Sequence, residues 1–435
     1  MNMLDIIIKK RNGGALLPEE IRFFVKGVTS GEIEDHQTAA LLMAIYFVGM
    51  TDEETFELTS CLVESGAVAN LRDIAGVKVD KHSSGGVGDK VTIAAVPIAA
   101  AAGVPIAKMS GRSLGDTGGT ADKLESIPGF RTGLSDRELV GQVGKIGAAM
   151  ITQTGDISPA DKKLYVLRDV TGTVENKSLI AASIMSKKIA SGSDAIVLDV
   201  KCGSGAFFKD KEQALAVAEL MIKIGNAAGR KSVAFITDMN EPLGRAVGNA
   251  NEVAEAIDVL KGRGPKDITE IVEAVSAAMI FVGEKAADME EATAKVRELT
   301  ASGRALAKLK EIIEYQGGDP AVTEDFSRLI EKRERYVVKA ERAGYVSEVD
   351  AGIIGKAARH TGAGRFRKGD EIDHSAGIML LKKIGEEVES GETVAEVFAK
   401  DAGLAEEAGR IAAEAFTVAD EKPKERKIII EKVGF

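Results

Sequence analysis

Over the first 66 residues apolar positions recur every three or four residues, and beyond them short unbroken apolar runs alternate with helical windows. The early stretch therefore reads as helices only. Met3–Arg11 is a short one, Pro18-Glu19-Glu20 opens a second, Asp35 is placed to cap the apolar run Thr38–Val48, and Thr51-Asp52-Glu53-Glu54 is a capping-box pattern ahead of Phe56–Val63. Val77–Asp80, Ile106–Met109, Ala195–Val200 and Val233–Thr237 then read as strands, separated by helical windows at Thr92–Ala102, Asp136–Ile146 and Glu212–Ala227. Strand alternating with helix predicts a mostly parallel sheet covered on both faces. The longest apolar stretch, Ile93–Val104, is too short to span a membrane and contains Pro97, which predicts a core helix bent or bounded at the proline.

Between Thr154 and Ser193 the helical pattern returns and interrupts the α/β alternation. This predicts a discontinuous all-α domain (residues 1–66 and 159–192) beside a larger α/β domain (67–158 and 193–330), with a hinge where the chain crosses twice. From Tyr336 short alternating runs broken by glycine, Tyr336–Val346 and Asp370–Lys383 among them, lead to a final strand at Lys427–Val433. They predict a separate C-terminal α+β domain, residues 336–435, joined by the charged stretch Glu331–Arg335.

A chain of 435 residues is long enough for two or three cores. Aromatic residues are only 4% and Trp is absent, so Ala, Val and Ile must do most of the packing. A net charge of −10 argues against a nucleic-acid binder, whose footprint is basic. The two cysteines, Cys61 and Cys202, are too few for a disulfide framework and fit a reducing cytoplasm; Cys202, beside glycine, reads either as a nucleophile or as a structural thiol. The N-terminus lacks the layout of a signal peptide.

Chemistry concentrates in two glycine-rich loops, Lys81–Asp89 and Ser110–Thr120, each following an apolar run and opening a helical stretch. Glycine lets the backbone approach a ligand, and helix-start N–H groups, hydroxyls and a lysine complete an anion cradle. Two such loops roughly 20 residues apart, one helix and one strand of a βα repeat, can line one site from adjacent strands. Lys81, Ser83, Thr92, Ser110 and Thr120 are the donors in or beside them; taken singly, such residues are also ordinary turn formers. No Walker pattern occurs, nor a clean dinucleotide fingerprint. A second group, Arg168, Ser183 and Lys187, places a hydroxyl and an ammonium four residues apart on one helix face, suited to an acceptor-rich ligand edge such as a pyrimidine, or else a solvated face. His82, inside the first loop, is placed to supply or steady a proton.

Lys81–Asp89, Ser110–Gly129 and Tyr165–Lys187 closely resemble the thymidine and pyrimidine-nucleoside phosphorylases. The resemblance implies reversible phosphorolysis of uridine, thymidine and deoxyuridine to free base and α-D-(deoxy)ribose 1-phosphate, with inorganic phosphate as co-substrate, in a homodimer joined through the α domains. It implies phosphate contacts from Lys81, Ser83, Thr92, Lys108, Ser110 and Thr120, base contacts from Tyr165, Arg168, Ser183 and Lys187, and catalytic roles for His82, Arg168 and Lys187. It also implies a potassium ion held by Gly88, Lys90, Leu243, Ala246 and Glu255, which requires the Lys90 ammonium to point away from the cation. Asp116 departs from the family, whose members commonly carry His there, and Lys108 stands where strict thymidine phosphorylases tend to carry Met. Lysine at that place implies pairing with phosphate and with a ribose 2′-hydroxyl, and so the wider substrate range. The alternatives are a strict thymidine phosphorylase and an enzyme resembling anthranilate phosphoribosyltransferase. From another class, the glycine-punctuated segment around Leu381-Lys382-Lys383 resembles a biotinyl or lipoyl carrier domain without its modification motif.

Overall fold

The computed structural model describes residues 1–112, 118–152, 157–367 and 369–435. Helices α1 (Met3–Arg11), α2 (Pro18–Ser30), α3 (Asp35–Val48) and α4 (Asp52–Glu64) come first. The expected capping box is present: Thr51 Oγ1 accepts from Glu54 N, and Glu54 Oε2 accepts from Thr51 N. Asp35, expected as a cap, is instead the first helical residue, and Glu34 precedes it without a side-chain cap. Glu54 does more than its local pattern implies, because it also takes the buried Lys10 ammonium at 2.7 Å and Leu16 N at 2.6 Å, tying α1 and the following turn to α4.

The sheet region begins with β1 (Val79–Ser83), α5 (Val91–Ala101), β2 (Ile106–Ser110), α6 (Thr120–Leu124), α7 (Asp136–Ile146) and β3 (Ala148–Thr152). Strand β3 has no counterpart in the sequence-based expectation; it pairs in parallel with β2, Ile106 opposite Ala148. Helix α5 runs through Pro97 without a break. All of Val91–Ala100 is buried, so packing on every side outweighs the lost hydrogen bond.

Two helices then leave the sheet, α8 (Pro159–Thr171) and α9 (Lys177–Ala190). Ala160, Leu164, Leu179 and Ala182 pack into the same core as α1–α4, which makes the helical domain discontinuous in sequence. The other face of α9 carries Ala181 and Met185 into the core over the sheet, so this helix belongs to both domains. The chain returns through β4 (Ala195–Cys202), α10 (Lys211–Ala227), β5 (Lys231–Asp238), the short β6 (Ala246–Gly248) and helices α11 (Ala250–Leu260), α12 (Lys266–Val282), α13 (Met289–Ala301) and α14 (Arg304–Tyr315). Strands β1, β4 and β5 are parallel neighbours. Along β4, Ile196, Leu198 and Val200 face the core under α10 while Ala195 and Val197 face the core under α5 and α12. Burial on both faces is why this strand is a continuous apolar run.

The C-terminal region comprises β7 (Glu334–Lys339), β8 (Gly344–Val349), α15 (Ala351–Ala358), β9 (Gly377–Leu380), β10 (Glu387–Val388), β11 (Thr393–Ala399), α16 (Ala402–Ala413), β12 (Phe416–Ala419) and β13 (Ile429–Val433). It is less separate than the sequence predicts. Strand β6 of the α/β region pairs antiparallel with β9, and Val346, Ile354 and Val397 lie in one continuous core with Val91 and Ile257. Strand β13, expected within the third domain, adds antiparallel to the edge of β5 in the central sheet. Among the described residues no helix is long and apolar enough to cross a membrane.

Candidate active site

A cavity of about 350 Å³ opens between the C-terminal ends of β1 and β2 and the helical domain. One wall is the end of β1 and the turn after it, which carry His82, Ser83, Gly85 and Asp89, with Ser110, Arg112 and Thr120 from the second loop; the facing wall is Tyr165 and Arg168 of α8 with Ser183, Lys187 and Lys188 of α9. The two groups singled out in the sequence thus face one another. Asp116 and its neighbours 113–117 lie outside the described residues.

On the first wall the hydroxyls of Ser83, Ser110 and Thr120 line the cavity with Arg112, whose charge is paired with Asp122 and Glu125, while the lysines Lys81, Lys108 and Lys123 stand behind. Ser110 Oγ is buried with no hydrogen-bond partner among the described residues. Ser83 Oγ pairs with the Asp89 carboxylate. Burial pushes the Asp89 carboxyl up, but Lys81, Lys201 and Lys123 together with the Ser83 hydroxyl hold it well below the usual carboxylate range. Lys81, Thr92 and Lys108, expected against phosphate, do not line the cavity. The Lys81 ammonium is wholly buried, 3.5 Å from both Thr92 Oγ1 and Asp199 Oδ2, and Asp199 is itself held by Lys201 at 2.8 Å. Lys108 Nζ donates to Met109 O at 2.6 Å and stands 3.6 Å from Asp80. Burial, offset by Asp80 and reinforced by Lys188 and Lys81, brings the Lys108 ammonium down to about 7. Its expected reach toward a ribose hydroxyl is absent from this arrangement.

His82 lines the cavity. Burial first, then the charges of Lys188, Lys108, Lys81 and Lys187, keep its imidazole well below its ordinary value, so the ring is neutral and offers a single N–H. The reading of His82 as a ready proton source is corrected accordingly: four lysines around it disfavour an imidazolium.

On the helical wall the cations face the cavity. The Arg168 guanidinium is buried and donates to the carbonyls of Thr173 (3.2 Å), Leu179 (3.2 Å) and Val174 (2.6 Å). It has five N–H groups, so part of its fork remains for a ligand. Lys187 Nζ donates to Ser183 Oγ at 2.9 Å, one helical turn away, and pairs with buried Asp161 at 2.5 Å. Both cations stand over the Tyr165 ring, at 5.9 and 5.7 Å from its centroid.

Several contributors carry no local sequence signal. Lys188, next to Lys187 along the helix, bonds Asp80 at 2.8 Å and Met109 O at 3.1 Å, joining α9 to β1 and β2. Asp122 receives Arg112 from the second loop and both terminal nitrogens of Arg365 from the C-terminal region, so that region steadies the loop. Cys202 is buried, and burial with Asp238 pushes its thiol up, which rules against the nucleophile reading. Lys383 is no free hairpin lysine: its ammonium bonds Pro242 O, Gly244 O and Asp267.

The oxygens named for potassium do converge, but not around an open space. Lys90 Nζ itself donates to Leu243 O and Ala246 O, both at 2.8 Å, and to Glu255 Oε2 at 2.5 Å, while Lys90 N occupies Gly88 O at 3.0 Å. The expectation that this ammonium points away is reversed, and the residues do not fit a potassium ion.

Residues 4–66 match the helical bundle domain of the glycosyl transferase family, 75–306 its a/b domain, and 345–419 the pyrimidine nucleoside phosphorylase C-terminal domain. The chain is 53% identical over 399 residues to the pyrimidine-nucleoside phosphorylase of Bacillus subtilis, covering 92% of each. The chain belongs to the pyrimidine-nucleoside phosphorylase family. A counterpart from Staphylococcus aureus is 53% identical over 394 residues, 91% of each chain. The fold, without the C-terminal elaboration being implied, is shared with anthranilate phosphoribosyltransferase from Thermus thermophilus, at a TM-score of 0.58 and 21% identity over 72% of this chain and 99% of that one. Membership makes the protein a glycosyl-transferring enzyme, a pentosyltransferase, and the expectation of a helical domain, an α/β domain and a C-terminal portion is met.

Proposed function

We propose that the protein catalyses phosphorolysis of pyrimidine nucleosides, uridine, thymidine and deoxyuridine, to the free base and α-D-(deoxy)ribose 1-phosphate. The observation that carries this reading is one cavity with hydroxyls on one wall, Ser110 Oγ among them without a partner among the described residues, and two cations beside a tyrosine ring on the other. Phosphate held by Ser83, Ser110, Thr120 and loop N–H groups keeps its nucleophilicity. It attacks C1′ as the bond to the base nitrogen breaks; positive charge grows on the sugar and negative charge on the departing ring. Arg168 and Lys187 face that growing negative charge, where preorganised donors act most strongly. Tyr165 supplies a flat apolar surface, and the neutral His82 donates one N–H. Attack opposite the base inverts the anomeric carbon, and no covalent enzyme intermediate is needed.

The names of the relatives favour the pyrimidine-general range over strict thymidine use; Lys108, turned to Met109 O, does not contribute to that choice. The test is phosphate-dependent base release from uridine, thymidine, cytidine and a purine nucleoside. Release from uridine and thymidine is expected; release from thymidine alone would leave a strict thymidine phosphorylase, and release from none would remove the reading.

We also propose a homodimer through the helical domain and residence in the cytoplasm. Leu4, Phe47, Val166 and Val170 leave apolar side chains exposed on α1, α3 and α8, Phe47 at 79% and Val170 at 76%. A monomer in sedimentation, unchanged by Phe47→Glu, would remove the dimer. Two free buried thiols support the reducing compartment.

A further inference from the structure

A buried carboxylate and two main-chain carbonyls that converge on one point make a cation receptor; apart from Lys90, the donors on the Glu255 carboxylate among the described residues are the backbone N–H groups of Arg245 and Ala246. Here the receptor joins the first phosphate loop to the Leu243–Glu255 segment. Glu255 Oε1 accepts from Arg245 N at 2.8 Å, so the carboxylate is fixed in place, and its Oε2 is directed at Lys90 Nζ. Lys90 is wholly buried and immediately precedes α5 as its N-cap residue. An ammonium has three N–H donors, and Leu243 O, Ala246 O and Glu255 Oε2 use all three. The backbone is equally tight beside it: Gly88 has φ +73°, and a Cβ there would stand 2.6 Å from Leu243 O. A Cβ on Gly244 would stand 2.2 Å from Glu255 Oε2 and 3.0 Å from Lys90 Nζ. No room is left for a second cation, and a mobile ion would have to displace a covalently tethered one of the same charge.

We propose that Lys90 is a built-in monovalent cation: its ammonium replaces a potassium ion at the anchor of the first phosphate loop and frees the protein from any need for one. The loop it anchors carries Ser83 and Asp89 to the cavity, and its other side is held by Lys123 Nζ on Asp89 O at 2.8 Å. Lys90 is therefore a positioning residue. It shapes the phosphate loop without touching phosphate.

The experiment compares the wild-type protein with Lys90→Thr and Glu255→Gln after dialysis into a tetra-alkylammonium buffer, with potassium chloride titrated back at constant ionic strength. Thermal midpoint is read without substrates, and phosphate KM and kcat are read by base release. For the wild type, potassium is expected to change neither the midpoint nor the rate. Lys90→Thr removes the tethered charge and leaves Glu255 with a vacancy. Its midpoint should fall in the organic cation and recover with potassium, and its phosphate KM should rise and recover in parallel while kcat changes less. Glu255→Gln keeps the ammonium and should stay indifferent to potassium. A wild-type midpoint or rate that rises specifically with potassium overturns the proposal, as does a Lys90→Thr protein equally stable and active in both cations. If Lys90→Thr fails to fold even in potassium, the wild-type titration and Glu255→Gln decide. The midpoint requires no activity, so a cation-indifferent protein that releases no base would sink the proposed reaction and leave this inference standing.

Discussion

The two walls of the cavity use the same residue types in opposite ways. On the sheet wall Ser110 presents a hydroxyl without a partner, while Lys81 is wholly buried behind it among Asp199 and Thr92. On the helical wall the Ser183 hydroxyl is already taken by Lys187, and it is the ammonium, 30% exposed, that meets the cavity. One wall offers neutral donors backed by compensated charge; the other offers charge backed by a neutral acceptor and a carboxylate. The difference matches two ligands with opposite needs. A nucleophilic anion must be held without being tied into a strong ion pair, whereas a leaving group that becomes an anion is helped most by cations that gain strength as the reaction proceeds.

The sharpest way to break this contrast is Lys187→Ala. Loss of one preorganised donor to the leaving group should lower kcat about 100- to 1,000-fold, with little change in nucleoside KM. Because Asp161 would lose its partner, Lys187→Ala/Asp161→Asn should show the same loss while regaining thermal stability. A raised KM with kcat intact would reassign Lys187 to ground-state binding. Ser110→Ala addresses the opposite wall. It removes a hydroxyl with no hydrogen-bond partner among the described residues, so stability should move by no more than about 0.5 kcal/mol while phosphate KM rises roughly 10-fold, as for a lost hydrogen bond to a charged group. Equal phosphate KM in the two proteins would show that the orphaned hydroxyl is incidental.

A further effect concerns the compensated charge itself. Folded Lys108 gives up its proton near 7, whereas the unfolded chain keeps it to the ordinary lysine value of 10.5. Between those values the unfolded state binds more protons, so stability rises with pH, by at most about 1.4 kcal/mol per pH unit from this group. Below about 7 both states are protonated and the contribution is flat at its least favourable. Lys108→Met keeps Asp80 paired with Lys188 and should abolish this rise. Chemical denaturation at pH 7 and pH 9 measures it; an unchanged slope in the variant would remove Lys108 as the source.

Features set by near neighbours in the chain were legible. The Thr51–Glu54 capping box, the βα alternation and the two glycine loops all depend on residues a few positions apart. The pairing of Ser183 with Lys187 was legible for the same reason. What stayed hidden depends on distance along the chain. Asp80 and Lys188 meet across 108 positions, Asp122 and Arg365 across 243, and neither pair leaves a local pattern. Strand β3 is harder to read because Ala148–Thr152 is a short run separated from α7 by the single C-cap Gly147, and its identity comes from pairing with β2. The direction of the Lys90 ammonium is not legible because a resemblance carries over a position but not where a long side chain points, and Lys90 meets Leu243 O across 153 positions.

The last strand has a consequence for how the molecule is made. Strand β13 covers the outer edge of β5, yet β5 is synthesised almost two hundred residues earlier. Through that interval the parallel sheet can assemble in order, but one side of it presents unpaired N–H and C=O groups and the apolar run Val233–Ile236 to any other chain emerging nearby. Chaperone occupancy on the newly made chain should therefore persist until residues 429–433 are free to pair with β5, and crowding before that point is the hazard this topology creates.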